Sequence, residues 1–286
     1  MNLPHPLIDI LSGDSYAMEH LPGAVNFCVY ETAFPDRVAK AFPDKAAPLT
    51  IYGLNDRTLE AGVALSRLGE AGYSTVAALP GGLEGWKANG GAIERGTLPD
   101  KPPTGRFPID TENSVIRWTG RNLFNFHHGT LKLAYGHIDV VENRIIGAEI
   151  PVDMTSLECS DLTDSALNAM LIAHLRSTDF FDAESHPQAM FTFVNAHELA
   201  GVTAGMANYR IQGQFTLRGH SHDIQFPALI AEKSASVWIA QATLDLDRTL
   251  WGANYGSGKM FARLGQHVVN DLIHLHLKIV TAPAAD

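Results

Sequence analysis

The sequence predicts two domains of different fold class, an α/β domain with a parallel sheet followed by an antiparallel β-barrel with one helix. The length of 286 residues suits two domains, at roughly 100–200 residues each. Short apolar runs alternate with helical segments before residue 100, whereas apolar residues recur at every second position after it. Between the two patterns lies TLPDKPPTG, a proline-rich stretch typical of an exposed linker. We therefore expect domains at 1–96 and 106–286, joined by a linker at 97–105.

The first hundred residues read as strands that alternate with helices. Such short apolar strands predict a parallel sheet covered by helices on both faces. Thr58 is expected to cap the start of the second helix, and Gly69 and Gly72 to mark its end. The predicted strands are 7–10, 24–27, 49–52 and 74–78, and the predicted helices are 34–42 and 58–71.

The remainder of the chain has the period of two that is typical of half-buried strands. About eight such strands in roughly 180 residues predict an antiparallel barrel or sandwich. Barrels of this size are either filled by side chains or enclose one ligand. The predicted strands are 115–118, 132–140, 145–152, 189–194, 209–217, 224–230, 237–244 and 267–280, and one segment, 164–175, has helical spacing.

Composition excludes several classes of protein. The net charge of −10 is spread over both parts, so neither is a basic platform for nucleic acid. Two cysteines cannot build a disulfide framework, and no stretch approaches the roughly 18 apolar residues that span a bilayer. The first residues lack the basic and apolar regions of a signal peptide. We therefore expect a cytoplasmic protein without a transmembrane segment.

Four runs within residues 5–95 match a known family: LIDI at 7–10, SYAMEHLPGAVNF at 15–27, RTLEAGVALSRLGEAGYSTVAAL at 57–79 and PGGLEGWKANGGAI at 80–93. On these runs, the first part of the chain resembles the rhodanese-like family. The second run holds the H-x-P-G-A-x-N pattern of that family, from His20 to Asn26, and the fourth holds G-G-x-x-x-W, from Gly81 to Trp86. The resemblance implies a doubly wound α/β fold.

The same resemblance implies a loop after the central strand whose cysteine carries a persulfide, in the pattern C-x-x-G-x-R-S. This chemistry needs a thiolate of low pKa. The chain instead reads IYGLNDRTLEAG at 51–62, with glycine at the cysteine position and a shortened loop. We expect no catalytic residue here and no thiosulfate:cyanide sulfurtransferase activity. The degenerate loop comprises Gly53, Leu54, Asn55, Asp56, Arg57 and Thr58.

Two other uses of this domain stay open. One is weak anion binding by the loop amides together with Arg57. The other is a sulfurtransferase or sulfur carrier that uses a cysteine outside the loop, Cys28 or Cys159. Cys28 is expected to be a small buried hydrophobe.

Residues 106–281 hold four runs that match a second family. The longest is HLRSTDFFDAESHPQAMFTF at 174–193, supported by FPIDTENSVIRW at 107–118, YRIQGQFTLRGHSHDIQF at 209–226 and DLDRTLWG at 245–252. On these runs, this part of the chain resembles the YceI-like proteins. The resemblance implies a lipocalin-like barrel that binds isoprenoids or other long apolar amphiphiles. It also implies export, which is typical of that family and contrasts with the expected location. The expected partner is an isoprenoid, a quinone or a fatty acid, and a homodimer is an open alternative.

Aromatic residues supply the candidate lining of the barrel. An aromatic and aliphatic interior with few polar groups suits a long apolar ligand, and ordinary core packing is the alternative. The candidates are Trp118, Phe126, Phe180, Phe181, Phe191, Phe193, Phe215, Trp238 and Trp251.

Histidines leave a third function class open, a metal or haem binder. His274 and His276 share one strand face, but the opposite face (Ile273 to Ile279) is expected to be the buried one. His127 and His128 are adjacent, so both cannot face inward, and His220 and His222 flank an expected hairpin turn. No C-x-x-C or H-E-x-x-H accompanies them. We therefore expect no metal site and no cofactor.

Overall fold

The structure is a computed structural model that describes residues 6–96, 104–234 and 237–283. The chain divides into two compact units, 1–100 and 101–286. Most of the predicted linker lies outside the described residues, and Gly105 opens the first strand of the second unit. Among the described helices, none combines the length and the apolar character that a membrane crossing requires.

The first unit is a four-stranded parallel sheet, in the order β2-β1-β3-β4, with helices between the strands. This confirms the predicted α/β class. The elements are β1 (Leu7–Asp9), α1 (Gly13–Met18), β2 (Val25–Asn26), α2 (Phe34–Ala41), β3 (Leu49–Tyr52), α3 (Glu60–Glu70), β4 (Val76–Ala78) and α4 (Gly82–Ala88).

Apolar side chains cover both faces of this sheet. Ile8 and Ile51 pack with residues of α2 and α3 on one face, whereas Leu7 and Tyr52 pack with Leu83 of α4 on the other. Neighbouring residues of one strand point to opposite faces, so the two central strands are buried, all of β1 and all of β3 except the half-buried Thr50, and they read as nearly continuous apolar runs.

The predicted cap of α3 is wrong. The helix begins at Glu60, and Leu59 precedes it without a side-chain cap. The Thr58 hydroxyl donates to the Asn55 carbonyl oxygen at 2.9 Å and accepts from the Asn55 N–H at 3.4 Å. Thr58 therefore closes the turn before the helix. The end is as predicted, because Ala71 is followed by Gly72 at a φ of +93°.

The second unit is an antiparallel barrel with one helix, as predicted. Eight strands close a ring in the order β6-β7-β9-β10-β11-β12-β13-β14, while β8 and β5 extend from the first half of β9. The elements are β5 (Gly105–Pro108), β6 (Val115–Arg121), β7 (Phe126–Leu133), β8 (His137–Val141), β9 (Arg144–Cys159), α5 (Ser165–Arg176), β10 (Gln188–Glu198), β11 (Tyr209–Leu217), β12 (His220–Ser234), β13 (Val237–Asp247) and β14 (Leu272–Val280), with 3-10 helices at Arg248–Trp251 and Gly265–His267.

Three predicted boundaries in this unit are wrong. The single strand expected at 132–140 is two strands, β7 and β8, because the chain turns at Gly136 with a φ of +135°. The expected turn at His220–His222 lies earlier, at Arg218 and Gly219, which both have positive φ. The last strand begins at Leu272 instead of 267, since residues 265–267 form a 3-10 helix.

Candidate functional site

A cavity of about 300 Å³ lies inside the barrel. Its lining follows the alternation of the strands, so that every second residue points inward. On β14 these are Ile273, Leu275, Leu277 and Ile279, the face predicted to be buried. On β12 they are Ile224, Phe226, Ala228 and Ile230. The lining is almost entirely apolar, and its volume is within the range of small-molecule sites.

One end of the cavity is polar. It lies where β6 ends and β14 begins, since the Asn270 N–H donates to the Arg121 carbonyl oxygen at 2.8 Å. Arg121 and Asn122 line the cavity and are also exposed, so the cavity reaches the surface here. The polar residues that line this end are Arg121, Asn122, His127, His174, Arg248, Tyr255 and Asn270.

A buried arginine organises this end. Arg248 is 1% exposed, and its guanidinium donates to the carbonyl oxygens of Ala253, Tyr255 (2.8 Å), Val269 (3.1 Å) and Asn270 (3.1 Å). Burial lowers the pKa of Arg248, although the nearby Asp271 and Asp247 carboxylates oppose this effect. One side chain thus satisfies four backbone carbonyls and joins residues 253–255 to residues 269–270 at this end of the cavity.

The helix α5 and the segment after it form another part of this wall. Asp164 caps the helix by accepting from the Ala166 and Leu167 N–H groups. The His174 ring contacts the rings of Phe180 and Tyr255 edge-on, at centroid distances of 5.1 and 4.5 Å. The polar end therefore has an aromatic support.

The nine predicted aromatic residues separate into two groups. Six of them line the cavity: Trp118, Phe180, Phe181, Phe191, Phe193 and Phe215. The other three do not. Trp251 is buried but packs behind Phe215, and Trp238 is buried against Phe107. Contact of any of the nine with a ligand stays a prediction.

Phe126 does not lie in the barrel interior and is 56% exposed. It opens β7 next to His127, whose side chain points inward, so alternation turns Phe126 outward. The Arg121 guanidinium lies 5.9 Å from the centroid of its ring. Of the adjacent histidines, His127 lines the cavity and His128 is exposed, as predicted.

Gly213 makes room for an aromatic ring inside the barrel. A Cβ atom added at this position of β11 would lie 2.3 Å from Cε2 of Phe191 and 2.7 Å from the Thr192 carbonyl oxygen. The missing side chain therefore creates the space that the Phe191 ring occupies.

In the first unit, the degenerate loop is closed on its own side chains. The buried Glu60 accepts from the Leu54 N–H at 3.4 Å, and Asn55 accepts from the Arg57 N–H at 2.8 Å. A Cβ atom at Gly53 would lie 2.9 Å from Cγ of Glu60. The Glu60 carboxylate therefore lies beside residue 53, whereas a nucleophilic thiolate at this position would need a positive potential around it.

Most residues of the polar end carry no signal in the sequence. Arg248 and His174 were visible only as members of the DLDRTLWG and HLRSTDFFD runs. Arg121, Asn122 and Tyr255 belong to a strand end and to loops, where no hydrophobic period marks an inward side chain.

The fold and the cavity define a class of protein, the small antiparallel β-barrels that enclose an apolar cavity with a polar opening. Within this class, the model of the YceI-like domain matches residues 107–281. The chain therefore belongs to the YceI-like family. The model of the rhodanese-like domain matches residues 1–89, so the chain also carries a rhodanese-like domain.

Solved structures resemble one or the other unit. BcnA of Burkholderia cenocepacia is 20% identical with a TM-score of 0.47, covering 61% of this chain and 99% of that one. A polyisoprenoid binding domain from Saccharophagus degradans is 12% identical with a TM-score of 0.45, covering 63% and 99%. A thiosulfate sulfurtransferase from Pseudomonas aeruginosa is 33% identical with a TM-score of 0.29, covering 32% and 17%. A search of curated proteins found no match.

Proposed function

We propose that the barrel binds one long apolar amphiphile, of the isoprenoid, quinone or fatty-acid type, and carries or senses it. The observation that carries the proposal is the cavity of about 300 Å³, which is lined almost only by apolar side chains and has one polar end. Burial of apolar area supplies the affinity, at roughly 25 cal/mol per Å². The tail of the ligand occupies the cavity, and its head group lies at the polar end.

The depth of the cavity supports a ligand with a long tail. The lining residues of β14 run from Ile273 to Ile279, which is six residue intervals. At roughly 3.4 Å per residue these intervals span about 20 Å along the strand. A strand tilt of about 40° reduces this to an axial depth of about 15 Å.

The polar end suits a head group with oxygen atoms. Arg121 forms no ion pair within the described part of the chain, so its guanidinium is available to a carboxylate, phosphate or carbonyl oxygen. Asn122, His174 and Tyr255 line the same end and add hydrogen-bonding groups. The head group is therefore held by the Arg121 guanidinium and several hydrogen-bonding groups.

We further propose that the rhodanese-like unit does not transfer sulfur. Gly53 provides no nucleophile, and the Leu54 N–H in the same loop already donates to the Glu60 carboxylate. Cys28 is buried, and burial raises the pKa of Cys159, with a smaller contribution from the nearby Asp161 carboxylate. A buried or protonated thiol is a poor nucleophile.

Quenching of Trp118 by a brominated amphiphile tests the binding proposal. Trp118 lines the cavity, so a bromine atom on a bound tail lies close to the indole. We expect saturable quenching at one ligand per chain. It is expected to be lost in Trp118→Phe and kept in Trp238→Phe, because Trp238 does not line the cavity. Absence of saturable quenching, or equal loss in both variants, would refute the proposal.

A further inference from the structure

Three side chains with metal-binding atoms meet at the wall of the barrel, near the polar end of the cavity. A ring nitrogen of His127, the sulfur of Cys159 and a carboxylate oxygen of Asp161 all lie within 4.8 Å of one another. His127 Nδ1 is 2.8 Å from Asp161 Oδ2, and the Cys159 thiol donates to Asp161 Oδ1 at 3.3 Å. The backbone N–H of His128 donates to the same oxygen at 2.8 Å.

The barrel holds these residues in place through its backbone. His127 lies on β7 and Cys159 ends β9, and the two strands pair with Gly129 opposite Cys159. The Ser160 N–H donates to the His128 carbonyl oxygen at 2.8 Å, and the Asn168 side chain donates to the Cys159 carbonyl oxygen at 3.0 Å. The segment that carries Cys159 is therefore bonded to β7 and to α5.

Gly129 is required for this close approach. A Cβ atom at Gly129 would lie 1.7 Å from the Glu158 carbonyl oxygen and 3.0 Å from the Cys159 Cα atom. Any other residue would push β7 and β9 apart at the point where His127 and Cys159 meet.

We propose that His127, Cys159 and Asp161 bind a divalent cation of the zinc type. Bonds of roughly 2.0–2.3 Å in a tetrahedral arrangement place neighbouring ligand atoms about 3.3–3.8 Å apart. The contacts of 2.8 and 3.3 Å are made to different oxygens of Asp161, but one of these oxygens, a His127 ring nitrogen and the Cys159 sulfur all lie within 4.8 Å of one another, so this arrangement requires only small side-chain movements. Three protein ligands leave the fourth position to water or to a polar group of another molecule.

The donor set selects the class of cation. One thiolate, one imidazole and one carboxylate suit zinc, whereas calcium and magnesium prefer several oxygen ligands. When the cation binds, the thiol proton that now points at Asp161 is released to solvent, and the thiolate becomes a ligand. The proton on His127 Nδ1 is likewise given up, so that the imidazole binds through Nδ1 with its remaining proton on Nε2. His127 also lines the cavity, so the cation lies beside the polar end.

Titration of the full chain with Zn²⁺ tests this inference. The protein is first stripped with a chelator, and Zn²⁺ binding is then measured in competition with a chromophoric chelator. We expect one Zn²⁺ per chain. Loss of an outer-shell partner already weakens metal binding by about 10–100-fold, so Cys159→Ser and His127→Ala are each expected to weaken it by at least about 100-fold.

Two matched variants control for the other cysteine and for another His–Asp pair. Cys28→Ser removes the remaining thiol, which lies buried in the first unit. His274→Ala removes a histidine whose Nδ1 lies 2.5 Å from Asp245 Oδ1 on the outward face of β14. Both are expected to bind Zn²⁺ as the unaltered chain does. Equal affinity of all four variants, or weakening by His274→Ala instead of His127→Ala, would overturn the proposal.

Cobalt provides a second measurement that needs no variant. Co²⁺ bound to a thiolate gives a charge-transfer band in the near ultraviolet, and we expect this band at one equivalent of Co²⁺ in the unaltered chain. Circular dichroism establishes whether the variants fold. If the variants do not fold, the cobalt band of the unaltered chain decides: its presence supports the site and its absence refutes it.

Discussion

Replacement of Ala242 by phenylalanine is the most informative perturbation of the cavity. Ala242 lines the cavity on β13 and pairs with Leu277 of β14, toward the end opposite the polar residues. A phenyl ring at this position fills the deep part of the cavity and leaves the polar end unchanged. Thr243→Phe is the matched control, because Thr243 is the next residue on the same strand and is exposed on the outer face.

The size of the effect follows from the depth. Carbon–carbon bonds of about 1.5 Å at near-tetrahedral angles advance a chain by about 1.25 Å per carbon. A depth of about 15 Å thus accommodates about 12 carbons, from strand rise and tilt. With the phenyl ring of Ala242→Phe in place, the cavity stays open only from Ile273 to Leu277. This is four of the six residue intervals, which accommodate about 8 carbons at the same strand rise and tilt.

Affinities of a homologous series of fatty acids measure this change. Each buried methylene contributes about 0.8 kcal/mol, or about fourfold in Kd. In the unaltered chain the affinity is expected to rise by this factor per carbon up to about 12 carbons and then to level off. In Ala242→Phe the affinity levels off near 8 carbons. A 12-carbon acid is therefore expected to bind this variant about 200-fold more weakly than the unaltered chain, while an 8-carbon acid binds both equally well.

The pattern of affinities over chain length decides the outcome. An equal loss for all chain lengths in Ala242→Phe would show that the tail does not lie along the barrel axis. A loss in Thr243→Phe as large as in Ala242→Phe would refute the cavity as the binding site.

Three further predictions concern other parts of the chain. Gly53→Cys alone is expected to give no sulfurtransferase turnover. The introduced thiol is expected to be alkylated faster when Glu60→Gln is added, since removal of the carboxylate lowers the thiol pKa. Equal alkylation rates of the single and the double variant would contradict this. Gly129→Ala is expected to lower Tm by about 5–10 °C through the clash with the Glu158 carbonyl oxygen, whereas Gly258→Ala, which has open space, should leave Tm within about 2 °C. Asp161→Asn tests a pH dependence: partial burial raises the pKa of Asp161, but hydrogen bonds from the His128 N–H and the His127 ring outweigh it and lower the pKa from 3.8 to about 2. The contribution of the ionised Asp161 carboxylate to stability is therefore complete above about pH 4 and lost as the pH falls toward 2. The free energy of urea unfolding of Asp161→Asn should depend less on pH in this window. A dependence equal to that of the unaltered chain would contradict the lowered pKa of Asp161.

The sequence predicted those parts of the cavity that follow a period. On β14 every second residue from Ile273 to Ile279 is apolar and lines the cavity, so alternation alone identified the inward face of this strand. The polar end has no such signal. Arg248 lies on a 3-10 helix and Tyr255 in a loop, and they meet because the Arg248 guanidinium donates to the carbonyl oxygens of Ala253, Tyr255 and Val269.

The cluster of His127, Cys159 and Asp161 escaped prediction for a related reason. Its assembly depends on the pairing of β7 with β9, whereas the sequence placed the strand at 132–140 and left His127 outside it. The absence of a nucleophile at Gly53 was visible in the sequence. The position of Glu60 beside it was not, because the predicted helix began at Thr58 and gave Glu60 no special place.

Native mass spectrometry of the full chain, purified without detergent, shows whether the barrel carries an amphiphile. We expect a bound mass of one amphiphile per chain, which organic extraction identifies as an isoprenoid, quinone or fatty acid. The same mass is expected in Thr243→Phe and is expected to be absent or shorter-chained in Ala242→Phe. A chain that carries no amphiphile and takes none up from an excess of these lipids would contradict the proposal that the barrel binds one.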